Sequence, residues 1–505
     1  MKKLAAVISA LMLSVCLCAN SFAAGGAVKI DMKKTHQTID GFGAAYTWYL
    51  ERLTKNSGAE EDYDWTFSEA GFNILRFIYP KPDSSGPTTI ENCKLVYDAA
   101  VERGVDPLVL ITHCGVYVIN EDYSEFTVDS EDSTKAHYVL KKDENGEFMY
   151  DVFAEHCVQV IKDFENAGIP VDYFSFTNEV EWQIRDYQPW KEPEEYASFY
   201  FGPEETDCHP AYWKQYIAIY DAFEREFGDG APEIIGTEVM NGSLDKLKPY
   251  LDPLIEARPD IMKTIGFHIY GTEATPETFA AVGEEYPEYK KWQTEWCSSD
   301  YFTNAEIIID MLTEEDLNAY LYWNGIWAFD EGECLIEASG SNSELKRNGC
   351  FYMMEHFSSF IKRGYLRVDT SGEYNSKVAA FRSPDGSKLV AVIMNPAEES
   401  EKLDLDLGDS KVIGSKVYQS TEGENNFKNE YLKDLGECVM SETLPARSLT
   451  TIVFDLEPDP NYVPAAEESV GSSGSADPVV IAVIAVGAVI VVAAVIAVII
   501  AVKKK

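Results

Sequence analysis

Two glutamates close apolar stretches of the sequence that have the composition of buried strands. Glu179 ends YFSFTNE (173–179), and Glu295 lies near the end of YKKWQTEW (289–296). Two carboxyl groups about 5–5.5 Å apart can hydrolyse a glycosidic bond with retention, because one protonates the leaving oxygen while the other attacks the anomeric carbon. Such neighbours push their pKa values apart, which supplies one protonated and one ionised group. We therefore predict a catalytic pair. Exposed strand ends are the simpler alternative, and Glu238 is the rival carboxylate.

Polar and aromatic side chains around this pair suit the same chemistry. Asn178 is expected to hydrogen-bond a sugar hydroxyl, while Tyr270 orients Glu295. Arg76 is expected to keep Glu295 ionised. Tryptophan rings offer flat apolar faces for sugars, with packing inside the fold as their alternative role. The histidine spacing does not suit a metal site, so wall or sugar-binding roles are preferred, and we expect neither a metal nor a cofactor. The predicted substrate-binding residues are Asn178, Arg76, Trp48, His113, Trp182, His268, Tyr270, Trp296 and Trp323.

The elements that must position these residues form an alternating pattern between residues 39 and 364. Short apolar runs rich in β-branched and aromatic residues are followed by stretches with helical periodicity, which predicts a (β/α)8 barrel in the α/β class. A doubly wound open sheet is the alternative, but no glycine-rich phosphate loop follows the first run. The predicted strands are 39–45, 73–80, 107–114, 173–179, 233–238, 263–270, 289–296 and 319–327. Polar residues gather at their carboxyl ends, which converge on one face of a barrel.

A second module follows the barrel. From residue 365 to 456 the apolar residues tend to recur with a period of two, most clearly in KLDLDL (402–407). No helical stretch separates these runs, so we predict an appended antiparallel β-sandwich domain.

The two ends of the chain have the composition of export and anchoring segments. Residues 1–24 combine two lysines, an apolar run and small residues before the expected cleavage point, which predicts a signal peptide. Residues 457–478 resemble a flexible linker. Residues 479–502 are apolar throughout and long enough to cross a bilayer, with a basic cytoplasmic tail at 503–505. The predicted protein is exported and anchored at the cell surface by a C-terminal transmembrane helix.

Charge and cysteine content limit the possible partners. The net charge is −43, and the terminal segments hold five of the 42 basic residues and none of the 85 acidic ones. The body between them therefore repels nucleic acid, whereas a neutral polysaccharide or oligosaccharide is an acceptable substrate. No cysteine spacing suits structural zinc, and disulfides and single buried thiols are equally compatible with the eight cysteines outside the signal peptide. The sequence does not predict an oligomeric state.

Five ordered motifs resemble glycoside hydrolase family 30. They are QTIDGFGAA (37–45), TNE (177–179), WQTEW (292–296), FYMMEHFSSFIKRGYLRV (351–368) and LPARSLTTIVF (444–454). The resemblance implies a retaining β-glycosidase with Glu179 as acid/base and Glu295 as nucleophile. It also implies that an N-terminal strand at 25–38 packs with the β domain.

The family includes xylanases, β-1,6-glucanases, β-1,6-galactanases and glucosylceramidases. This chain departs from the family pattern at THCGVYVIN (112–120) and at Val180, where a proline is usual, so the resemblance leaves the sugar open. We expect an endo-acting enzyme with β-1,4-xylan as first candidate, and the other family substrates as alternatives. A non-catalytic cell-surface carbohydrate-binding protein is the alternative from another class.

Overall fold

The computed structural model describes residues 26–80, 89–113, 122–128, 136–181, 199–327, 333–338, 340, 343–421 and 441–458. The predicted signal peptide, nearly all of the linker, the apolar segment at 479–502 and the basic tail lie outside these ranges, as does Trp182. Within them, no helix combines the length and apolar character needed to span a membrane. The described cysteines are free thiols at positions 93, 157, 208, 297, 334 and 350.

Strands are numbered in chain order. They are β1 (Ala27–Thr38), β2 (Gly41–Tyr46), β3 (Ile74–Ile78), β4 (Leu108–Thr112), β5 (Ser124–Val128), β6 (Ala136–Leu140), β7 (Tyr173–Ser175), β8 (Glu233–Ile234), β9 (Gly236–Val239), β10 (Thr264–His268), β11 (Lys290–Trp296), β12 (Ala319–Tyr322), β13 (Ile326–Trp327), β14 (Ile336–Glu337), β15 (Lys346–Arg347), β16 (Leu366–Gly372), β17 (Val378–Arg382), β18 (Lys388–Asn395), β19 (Glu401–Asp406), β20 (Val412–Thr421), β21 (Ser441–Leu444) and β22 (Ser448–Leu456).

The α-helices are numbered in the same way. They are α1 (Leu50–Thr54), α2 (Ala59–Tyr63), α3 (Ile90–Glu102), α4 (Tyr150–Asn166), α5 (Tyr212–Phe227), α6 (Leu244–Ala257), α7 (Pro276–Glu285), α8 (Tyr301–Glu314) and α9 (Gly349–Ser358). A π-helical turn at Asp64–Glu69 follows α2 directly.

Nine parallel strands form a sheet in the order β8-β7-β4-β3-β2-β12-β11-β10-β9. Its two terminal strands, β8 and β9, are separated by Ile235 alone and belong to one passage of the chain. The sheet therefore closes on itself with eight passages, and the predicted (β/α)8 barrel is confirmed. The carboxyl ends of its strands meet on one face, where barrels of this type place their functional residues.

Side chains that point inward from alternating strand positions fill the barrel below that face. The buried cluster consists of Ile74, Leu110, Tyr173, Ile235, Trp292, Ala319 and Leu321. Among these, the indole of Trp292 donates a 2.9 Å hydrogen bond to Asp40, so the largest ring of the interior is fixed in orientation. The barrel is thus a packed core with a floor beneath the functional face.

A second sheet of eight strands is ordered β20-β22-β18-β17-β16-β1-β19-β21. The N-terminal strand β1 pairs antiparallel with β16 and parallel with β19, so the chain enters this domain before it enters the barrel. The predicted appended β domain is confirmed, with the difference that β1 makes the sheet mixed.

A buried histidine joins the two modules. The ring of His356, on α9, lies 2.9 Å from Thr451 Oγ1 and 3.0 Å from Ser420 Oγ, both in the β domain. Burial lowers the pKa of His356 to about 3, so the ring is neutral and has one donor and one acceptor for these hydroxyls.

Candidate active site

Glu179 lies four residues after the end of β7 and occupies an unusual backbone conformation. Its φ is 52°, in the left-handed region, and its N–H donates a 2.6 Å hydrogen bond to the carbonyl of Glu238. A non-glycine residue in this region costs of the order of 1–3 kcal/mol and is typical of functional positions. The Glu179 side chain is 16 % exposed, and His268 Nδ1 lies 3.1 Å from its Oε1.

Glu295 lies within β11 at an irregularity of the sheet. The pairing of β11 with β12 changes register from Gln293 to Trp296, as expected of a β-bulge. A bulge changes the direction in which the neighbouring side chains point. Glu295 therefore reaches Arg76, whose Nη1 donates a 2.6 Å hydrogen bond to its Oε2. Its side chain is 9 % exposed.

The two predicted catalytic carboxylates lie close together. An oxygen of Glu179, an oxygen of Glu295 and a ring nitrogen of His268 are all within 4.8 Å of one another. This separation suits a retaining pair at about 5–5.5 Å and is shorter than the roughly 6.5–9.5 Å of an inverting pair. The same trio has the composition of a metal site. However, the Arg76 guanidinium already binds Glu295, and a protonated His268 has no lone pair to offer.

Arg76 has a different role from the predicted contact with substrate. It is 1 % exposed, so it lies beneath the cavity surface. Its Nε donates to Thr112, and its Nη2 donates to Asn178 at 2.8 Å and to Glu238 at 3.3 Å. The structure therefore corrects the substrate-binding prediction: Arg76 orients groups around the carboxylate pair and, as expected, supplies a positive charge to Glu295.

His268 is also part of the floor. It is completely buried, and its Nε2 lies 3.4 Å from Glu238 Oε2 and 3.8 Å from Glu295 Oε2, distances suited to ion pairing. Burial alone would lower the pKa of His268, but Glu295, Glu179 and Glu238 outweigh burial and raise it to about 10. His268 is therefore a buried imidazolium among three carboxylates, and the predicted direct contact with sugar is corrected.

The sequence made Glu238 a rival catalytic carboxylate, but in the structure its side chain is not accessible from the cavity. It is fully buried, and its Oε1 accepts a 2.8 Å hydrogen bond from Thr294 Oγ1. Burial would raise the pKa of Glu238, yet His268, Arg76 and Thr294 together lower it below its ordinary value. An ionised carboxylate without access to the cavity cannot attack a sugar, so Glu238 is excluded as a rival nucleophile.

Opposing effects act on the pKa of Glu295, and the net result is a raised pKa. Burial raises its pKa, and the charge of Glu179 adds to the rise, whereas His268 and Arg76 oppose it. A nucleophile must be ionised, so the two cations, which limit this rise, favour the reactive form of the carboxylate.

Asn178 and Tyr270 lie close to the pair. Asn178 Oδ1 accepts the hydrogen bond from Arg76, which fixes the orientation of the amide. The Tyr270 hydroxyl lies 3.9 Å from Cys297 Sγ, and the described part of the chain shows no hydrogen bond from it to Glu295. Burial, with Glu295 nearby, raises the pKa of Tyr270 well above its ordinary value, so the hydroxyl is neutral.

Three of the four predicted tryptophans are described, and each is partly exposed at the carboxyl end of a barrel strand. Trp48 follows β2, Trp296 ends β11 and Trp323 follows β12. The Trp323 ring centroid is 6.0 Å from the Arg76 guanidinium carbon, which places this ring beside the carboxylates. Trp182 was predicted as a fourth platform and lies outside the described residues.

Sequence reasoning missed the continuation of this aromatic wall. The ring centroid of Trp327 lies 6.0 Å from that of Trp323 and 4.8 Å from that of Tyr49. Trp327 stands at the end of an apolar run that was interpreted as a single strand, whereas the structure divides the run into β12 and β13.

His113 does not reach the cavity, and its predicted role is wrong. Its Nε2 lies 3.0 Å from a ring nitrogen of His156 on α4, and its ring stacks with Tyr79 at a centroid distance of 6.1 Å. Burial and the proximity of His156 lower the pKa of His113 well below its ordinary value. It is a neutral histidine in the packing between β4 and the helices.

Val180 and Glu181 follow Glu179 directly in the chain. The side chain of Val180 is fully buried, so replacing the usual proline does not alter the cavity surface directly. Glu181 accepts a 3.1 Å hydrogen bond from the Asn241 N–H, and burial raises the pKa of Glu181 to about 7.

Fold and carboxylate pair together define a class of protein: a (β/α)8 barrel whose strand ends present the acidic pair that glycoside hydrolases use. No family model matches the chain. The chain is 22 % identical over 447 residues to the glucuronoxylanase XynC of Bacillus subtilis strain 168, covering 85 % of this chain and 92 % of that protein.

Solved structures agree with this likeness. The catalytic domain of GH30 xylanase C from Talaromyces cellulolyticus matches with a TM-score of 0.64 at 19 % identity, covering 85 % of this chain and 99 % of that one. The endo-β1,6-glucanase BT3312 matches with a TM-score of 0.62 at 16 % identity, covering 85 % and 94 %. The predicted resemblance to glycoside hydrolase family 30 is confirmed, since the chain has the fold of these proteins.

Proposed function

We propose that the protein is a retaining glycoside hydrolase that cleaves β-glycosidic bonds of a polysaccharide by double displacement. The observation that carries this proposal is the separation of at most 4.8 Å between a carboxylate oxygen of Glu179 and one of Glu295. An inverting mechanism needs room for a water between the carboxyl groups, and this spacing does not provide it.

Glu295 is the proposed nucleophile. Its charge is bound by a guanidinium that does not lose its proton at any working pH, and its burial leaves one approach direction, from the cavity. In the first step Glu295 attacks the anomeric carbon, the bond to the leaving oxygen breaks, and a covalent glycosyl-enzyme forms.

Glu179 is the proposed acid/base. Its side chain is more exposed than that of Glu295, so it can contact both a leaving group and an incoming water. It gives its proton to the leaving oxygen in the first step. Once the glycosyl bond has neutralised Glu295, Glu179 acts as the base and takes a proton from the water that releases the sugar. Two inversions give net retention.

The substrate proposed first is β-1,4-xylan. The xylanases among the similar proteins support it, and the β-1,6-glucanase supports β-1,6-glucan as second candidate. Neutral xylan is preferred to glucuronoxylan in this proposal, because both cations described beside the pair, Arg76 and His268, are buried and already bound to protein groups. We expect neutral xylan to be cleaved at least as fast as glucuronoxylan.

Two variants separate the proposed roles. Glu295→Gln should abolish cleavage of every substrate while oligosaccharide binding persists. Glu179→Gln should lose activity on xylan but retain cleavage of aryl glycosides, whose good leaving groups need no proton. An inverted first product by NMR, or full activity of Glu295→Gln, would refute the mechanism. A folded protein that binds glycans but cleaves none of a broad panel would be a carbohydrate-binding protein.

Export and anchoring remain part of the proposal. The composition of residues 1–24 and 479–502 supports an exported body tethered outside a membrane. Fractionation of expressing cells tests it: the full chain should sediment with membranes, whereas a chain ending at residue 458 should be released.

A further inference from the structure

Glu238 is the third carboxylate of the site, and the proposed chemistry does not use it. Its side chain is 0 % exposed, and its two oxygens face Thr294, Arg76 and His268. A buried ionised group of this kind is costly unless it is paired, so its presence needs a reason beyond packing.

The backbone at Glu238 is built to bring this carboxylate inward. The register between β9 and β10 shifts at this residue, since Thr237 pairs with Gly266 and Val239 with Phe267. Glu238 is thus the extra residue of a bulge, with φ at 57° in the left-handed region. Both features redirect its side chain from the outer layer to the barrel mouth.

A neighbouring glycine provides the space. A Cβ added at Gly266 would lie 2.5 Å from Glu238 Oε1, closer than any real contact. The same Cβ would lie 2.2 Å from Ile235 Cγ2, so at this position of β10 only glycine permits the observed places of both side chains.

Glu238 contacts both halves of the catalytic arrangement. Its Oε2 is 3.3 Å from Arg76, which binds Glu295, and 3.4 Å from His268, which binds Glu179. Its carbonyl accepts the N–H of Glu179 itself. Glu238 is therefore linked to the nucleophile Glu295 through Arg76. It is linked to the acid/base Glu179 through His268 and through the backbone hydrogen bond.

We propose that Glu238 is a positioning residue that holds Arg76 and His268 between the two catalytic carboxylates and thereby sets their separation and charge. This inference rests on the proposed function for its catalytic meaning. Glu238 touches no substrate, so it acts only through the groups it contacts.

The charged and titratable groups that face this centre come from every surrounding strand. They are Arg76 in β3, Glu179 and Glu181 after β7, Tyr212 in α5, His268 in β10, Tyr270 after β10, and Glu295 in β11. With two cations and three carboxylates close together, the titration belongs to the group as a whole. Removing the Glu238 charge leaves His268 with less negative surroundings, so its proton leaves at lower pH and the site loses a positive charge at lower pH.

The test is Glu238→Gln, which keeps the shape and removes the charge. The basic limb of the kcat/KM–pH profile should move down by about one pH unit or more. A parallel NMR titration of ring-labelled histidine, with His268 assigned from the signal lost in His268→Gln, should show its pKa falling in the same direction. Glu315→Gln is the matched control, because Glu315 is a fully buried glutamate before β12, at the opposite end of the barrel.

Glu238→Asp keeps the charge but withdraws it by one methylene, so its shift should be smaller than that of Glu238→Gln. A folded Glu238→Gln protein whose profile and His268 titration match the wild type would overturn the proposal. Should Glu238→Gln not fold, Glu238→Asp decides: a lowered His268 titration supports the proposal, and an unchanged one overturns it. The NMR readout does not depend on turnover, so a wild-type protein that cleaves no β-glycan would refute the proposed function separately.

Discussion

Replacing Arg76 by methionine tests how the buried charges of the site are balanced. The side chain is 1 % exposed and donates to Thr112, Asn178, Glu238 and Glu295. Its removal leaves two buried carboxylates without their shared donor, and breaking a buried pair in this way costs about 3–5 kcal/mol. We expect the free energy of unfolding, measured by chemical denaturation at pH 7, to fall by that amount.

The same change should alter catalysis in a direction that the structure fixes. A unit charge at about 4 Å in surroundings of intermediate polarity is worth about 4 kcal/mol, or about 3 pKa units, as an upper limit. Arg76 opposes the rise in the pKa of Glu295, so its loss lets that pKa increase. Because the nucleophile must be ionised, the acid limb of kcat/KM should move up by about one to three pH units.

Arg225→Met is the control, since the ion pair of Arg225 with Glu155 is solvent-exposed and should contribute at most about 1 kcal/mol. An Arg76→Met protein with an unmoved acid limb would show that Arg76 does not govern the charge of Glu295. A loss of stability as small as that of the control would show that the buried pairs are not stabilising.

Two further outcomes are expected. The pKa of His268 is raised from about 6.5 to about 10, so its contribution to stability is complete below pH 6.5 and is lost as the pH rises through 10. This amounts to roughly 5 kcal/mol. The free energy of unfolding, measured by denaturation between pH 6.5 and 10, should therefore depend less on pH in His268→Gln than in the wild type, whereas an unchanged pH dependence would contradict the assignment. Trp323→Ala should raise KM for xylo-oligosaccharides about tenfold with little change in kcat, because it removes a platform beside the carboxylates. Trp213→Ala on the outer helix α5 should leave KM unchanged, and equal effects of the two variants would refute the platform.

The order and approximate positions of the barrel strands could be predicted from the sequence, and with them the barrel and the two glutamates. The exact strand ends could not, since β7 ends at Ser175 and β12 at Tyr322. The direction in which each strand side chain points could also be predicted in part from the alternation along the strand. On β4, Leu110 points into the barrel, and Val109 and Ile111 point to the helices, so period-two alternation places His113 outside. The wrong prediction for His113 came from using strand ends without this alternation.

Other features have no signature in a single sequence. Trp292 and Ile235 point into the barrel. Strict alternation along each strand would therefore direct Glu295, three residues after Trp292, and Glu238, three residues after Ile235, toward the outer helices. Bulges at both sites reverse this, and a bulge depends on how neighbouring strands pair. Arg76 and His268 were found as strand-end residues, but their roles depend on which carboxylates they meet, and those come from distant parts of the chain.

The path of the chain between the two modules limits how the protein can be divided. Only residues 39 and 40 separate β1, in the β domain, from β2 in the barrel, and the chain returns after α9 to pair β16 with β1. A barrel cut out at residues 39–364 would lose the partners of His356 and expose the surface of α9 that faces β22. For protein engineering, the smallest portable unit is therefore the whole of residues 26–458, and the β domain cannot be exchanged between enzymes by a single junction.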